Sequence, residues 1–81
     1  MIILSNKQLY DAVKETAVGL EELGMKGHAD GLRAALSVST LPGEILGEIR
    51  LALQRIELSG LPKNIEYEIV SEKTYIDSVL R

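Results

Sequence analysis

The sequence contains no cysteine, no tryptophan and no phenylalanine. Without cysteine there can be no disulfide framework, no thiolate nucleophile and no cysteine-based zinc cluster. Three tyrosines are the only aromatic residues, so a core has to be assembled almost wholly from aliphatic side chains. A single histidine, His28, is too little for a histidine-rich metal site. No apolar run approaches the ~20 residues that a membrane-spanning helix requires. Met1, Ile2, Ile3 and Leu4 are too few for a signal peptide and lack a basic start, so a cytoplasmic chain is expected. Cations are also in short supply: nine Lys and Arg stand against twelve Asp and Glu, a net charge of −3. Neutralising a phosphate backbone needs clustered Lys and Arg, so a broad nucleic-acid surface is disfavoured.

What is present is aliphatic and evenly spread. The chain is 81 residues long, 46% hydrophobic and 26% charged, which suits one globular domain over 1–81 and excludes a disordered one. That length is near the lower end of what one core can stabilise alone, so a partner surface would help.

Residues 40–58 organise the rest. Ile45, Ile49, Ala52, Leu53 and Ile56 follow in helical steps and form one apolar stripe. On the other side Gly43, Gly47, Leu51 and Leu58, with Gln54 among them, make a second, thinner stripe. A helix with apolar or small residues on two sides is either enclosed by its neighbours or offers one side to a partner.

The first helix is expected over 5–23. Ser5 and Gln8 have capping-box spacing, and Leu4 and Leu9 stand where a hydrophobic staple would close. Leu9, Val13, Thr16, Ala17, Leu20 and Leu23 share its apolar face, and Gly24 fits the C′ position with Met25 packing back. A weaker helix covers 27–38, with Gly31 in its interior and a narrow face of Ala29, Leu32, Ala35 and Leu36. Pro42 then opens the third helix, and Gly60 with Pro62 closes it. The last segment is ambiguous: 65–69 alternates like a strand, whereas Ile65, Ile69, Ile76, Val79 and Leu80 share a helical face broken by Glu72. Helix accounts for more of 63–81, and a strand would find a partner only in 1–4.

No residue group reaches a catalytic signature. His28 and Asp30 are two apart and point to different sides of a helix, so base and orienter do not converge. Glu44 and Glu48 have the spacing of a carboxylate metal pair, but no Glu-x-x-His accompanies them, and a solvated charged stripe explains them, as it does Glu66 and Glu68. Ser5, Ser37, Ser39, Ser59, Ser71 and Ser78 have no base assigned by sequence. Gly24, Gly27 and Gly31 match no phosphate-loop spacing. Residues 28–53 scan as a helix-turn-helix, yet the reading helix would open with Pro42, Gly43 and Glu44.

The expected fold is therefore all-α, a small antiparallel bundle of about four helices, with no catalytic residue, cofactor or metal. The expected role is a non-enzymatic interaction or regulatory domain. It would form a homodimer, or dock on another protein, through Gly43, Gly47, Leu51 and Leu58. A small DNA-binding regulator, a toxin-neutralising (immunity-like) protein and a metal- or ligand-binding bundle are the alternatives. The missing basic stripe disfavours the first of these, and the missing His/Glu constellation the last.

Overall fold

The first helix begins where its capping residue says it should. In the computed structural model, which describes residues 2–80, α1 spans Asn6–Glu22 and Ser5 is its N-cap. Met1 and Arg81, assigned above to the lead segment and the last helix, lie outside the described residues. Ser5 is extended and its Oγ accepts the Gln8 N–H at 3.2 Å. The reciprocal arm reaches one residue further back than in a standard capping box: Gln8 Oε1 accepts the Leu4 N–H at 2.7 Å. Leu4 is exposed and Ile3 is buried in its place, so the expected Leu4–Leu9 staple does not form. The helix ends in a Schellman motif. Gly24 has φ +82, its N–H bonds to the Glu21 carbonyl at 3.0 Å, and the Met25 N–H bonds to Leu20 at 2.9 Å.

Three more helices follow: α2 at Lys26–Leu36, α3 at Pro42–Gln54 and α4 at Lys63–Val79. Pro42 opens α3, where its missing N–H costs nothing. The third helix is shorter than its periodicity suggested. Ile56 bonds back to Leu53 at 3.1 Å and the chain then leaves the helical path. A continued helix would put Ile56 and Leu58 on opposite sides; leaving it lets Ile56 be buried and Leu58 pack on the core as well. Gly60 serves the next turn and not the helix end. Its φ of +86 sits inside a turn closed by Leu61 N–H to the Leu58 carbonyl at 3.2 Å, as a type II turn requires. Over 65–69 the helix prevails, and no strand occurs among the described residues.

Each helix packs against the next, and α4 closes back on α1, giving a small four-helix bundle. The α1–α4 seam is antiparallel. Tyr75 donates its hydroxyl to Asn6 Oδ1 near one end, Thr16 meets Glu72 in the middle, and Gly19 faces Ile65 at the other end. A Cβ at Gly19 would come within 2.7 Å of Ile65 Cδ1, so the tip of Ile65 occupies the space that the bare glycine leaves. The core is aliphatic, with Leu9, Leu20, Leu32, Leu46, Ile49, Leu53, Ile69 and Ile76 fully enclosed. Ion pairs between helices, Arg33 with Glu21 at 2.7 Å and Arg50 with Asp77 at 3.4 Å, lie near the surface, where solvent screens them.

Candidate interaction surface

The periodicity of α3 that buries Ile45, Leu46, Ile49 and Leu53 turns Gly43, Gly47 and Leu51 the other way. Among the described residues, no other helix lies over them. A Cβ built at Gly43 or Gly47 would meet nothing within 4 Å, and Leu51 is 47% exposed. Val38, in the α2–α3 connection, is 53% exposed and stands beside them. Together Val38, Glu44, Gly47, Glu48, Arg50 and Leu51 line one open groove. Of the four residues expected on this face, Gly43, Gly47 and Leu51 share it. Leu58 does not: it lies past the end of α3, half-buried against the core.

The residues weighed for chemistry are scattered. His28 is half-buried on α2, and Asp30 is exposed on the same helix, bonded to Lys26 Nζ at 2.7 Å and to Arg33 at 3.5 Å. The hydrogen bond from Lys26 holds the Asp30 carboxyl below its usual range. Glu44 and Glu48 stay in solvent on α3. Among the described residues, no three His, Cys, Asp or Glu side chains come close enough to hold a metal ion.

Among the described residues, one ionisable side chain is wholly enclosed. Glu72 interrupts the apolar face of α4 between Ile69 and Ile76 and has no exposed surface. Thr16 Oγ1 donates to its Oε2 at 2.7 Å, while Oε1 has no partner among the described residues. Burial raises the carboxyl to about 7; the Thr16 hydrogen bond opposes the rise and the nearby Glu68 charge adds to it. A carboxyl with a single hydroxyl for company can hold a proton, and both groups are enclosed. The break in the apolar pattern was legible in sequence; the pairing with Thr16, 56 residues away, was not.

No helix among the described residues is long and apolar enough to cross a membrane. Compared with family models, curated proteins and solved structures, the chain matches none.

Proposed function

We propose that this chain is a non-enzymatic interaction domain, acting in the cytoplasm, that self-associates through the outward face of α3. The observation that carries this reading is the uncovered stripe itself. Leu51 and Val38 stand in solvent around the bare backbone of Gly47, on the helix whose other side forms the core. An exposed apolar groove on so small a domain is removed from water most simply by a second surface of the same kind. The acidic balance and the Glu44/Glu48 pair on this face speak against a nucleic acid as the covering partner.

The test is a pair of substitutions on opposite sides of α3. Leu51→Glu places a carboxylate in the proposed contact and should yield a folded monomer, because the site is already half in water. Ile49→Glu places one at a fully buried position and should unfold the chain. Sizing with circular dichroism reads both. A Leu51→Glu protein that self-associates as wild type does removes α3 from the contact.

A further inference from the structure

The α3 face is self-complementary in one direction only, and this sets how two copies meet. We infer that, if the chain self-associates through α3 as proposed above, the two α3 helices cross antiparallel about a two-fold axis midway between Gly47 and Leu51, with Leu51 of each copy seated over Gly47 of the other and Glu44 opposite Arg55.

Four features lead to this arrangement. Gly47 presents bare backbone with nothing within 4 Å of where a Cβ would be, while Leu51, one turn on, projects 47% exposed. In a pair related by a two-fold axis, a notch and a knob four residues apart on the same side of a helix engage each other twice only when the second helix runs the opposite way. A parallel pair would set notch on notch and knob on knob. The charges agree. Glu44 stands in the first turn and Arg55 caps the last. At 100° per residue, the two lie within about 20° of each other around the axis, on the same flank of the Gly47–Leu51 line. A two-fold axis perpendicular to both helices keeps that flank on the same side while reversing chain direction. The acidic start of one α3 then faces the basic end of the other, twice. A parallel pair, related by an axis along the helices, would put the two charged flanks on opposite sides of the seam and bring neither pair together. Arg55 makes no ion pair among the described residues, so its guanidinium is available. Finally, Val38 beside the notch extends the apolar contact beyond one helix stripe. The area remains modest, so the dimer should dissociate in the micromolar range and weaken with salt.

The absence of native cysteine makes the register directly readable. Gly47→Cys and Leu51→Cys variants, each carrying one thiol, are mixed in equal amounts and oxidised. The antiparallel register predicts the mixed 47–51 disulfide well above its statistical share, with little 47–47 or 51–51 product. Because Leu51→Cys shortens the knob, a second series uses charge. Glu44→Arg and Arg55→Glu should each weaken dimerisation by about fivefold, and the double exchange should restore it. Both changes oppose the helix dipole, so the double variant is expected to be the least stable fold; recovery of its dimer cannot be a stability effect. A dimer that prefers the like disulfides, or that the double exchange does not restore, overturns this register and leaves self-association standing. A wild-type chain that remains monomeric at all concentrations overturns both.

Discussion

Replacing Glu72 by Gln should make this protein more stable at neutral and alkaline pH, and hardly at all at acid pH. The wild-type carboxyl is raised from 4.5 to about 7 by burial between α4 and α1. Below pH ~4.5 the group is protonated whether the chain is folded or not, so it imposes no penalty. Between pH ~4.5 and ~7 the unfolded chain releases the proton and the folded chain keeps it, so stability falls as pH rises. Each pH unit in that window costs about 1.4 kcal/mol, so the full loss is on the order of 3 kcal/mol, complete above pH ~8. For a domain of this size that is a large share of the total. Glutamine keeps an oxygen to accept from Thr16 Oγ1 and carries no charge at any pH, so its stability should lack this component. Urea unfolding of both proteins from pH 4.5 to 8.5, at constant ionic strength, isolates Glu72 as the difference between two curves. The variant should match wild type within ~1 kcal/mol near pH 4.5 and exceed it by up to about 3 kcal/mol near pH 8. A difference that does not change with pH, or one that shrinks as pH rises, refutes the account of an enclosed, neutral carboxyl.

Two glycines on or beside helices should respond in opposite senses. Gly31 lies in the interior of α2, exposed, with nothing within 4 Å of a built Cβ, so Gly31→Ala should stabilise the chain by up to ~1 kcal/mol in thermal or urea unfolding. Gly24 also has open space around it but holds φ at +82, so Gly24→Ala should destabilise by ~1 kcal/mol through backbone strain alone. The pair separates conformational effects from packing, since neither methyl touches a neighbour.

Helix positions were legible because periodicity, caps and stops agreed at each of them: Ser5 and Gly24 bracket α1, and Pro42 opens α3. What local pattern could not show was how the chain spends its ends and turns. Leu58 continues the helical phase of α3, which places it on the outer face, but the chain gains more by leaving the helix and packing that leucine on the core. Leu23 similarly matched the apolar phase of α1 and is 46% exposed, because the Schellman turn carries the chain off the bundle there. Leu46 and Ala12 flank the apolar stripes of α3 and α1, yet both are buried; a helix enclosed on two flanks hides a wider arc than one stripe. The Gly19–Ile65 approach and the Thr16–Glu72 pair join residues far apart in sequence, and periodicity carries no information about such partners. For the candidate surface, Gly43, Gly47 and Leu51 could be read from sequence, whereas Val38 could not, since it arrives from the connection before α3.

The central claim, that the open face of α3 is covered by a second copy of this chain, is tested most directly by sedimentation equilibrium of the wild-type protein. The chain has a mass of 8.9 kDa. Over a dilution series from hundreds of micromolar to about one micromolar, the account predicts a weight-average mass that falls reversibly from twice the chain mass toward the single-chain value. A mass that stays at 8.9 kDa throughout the series contradicts it.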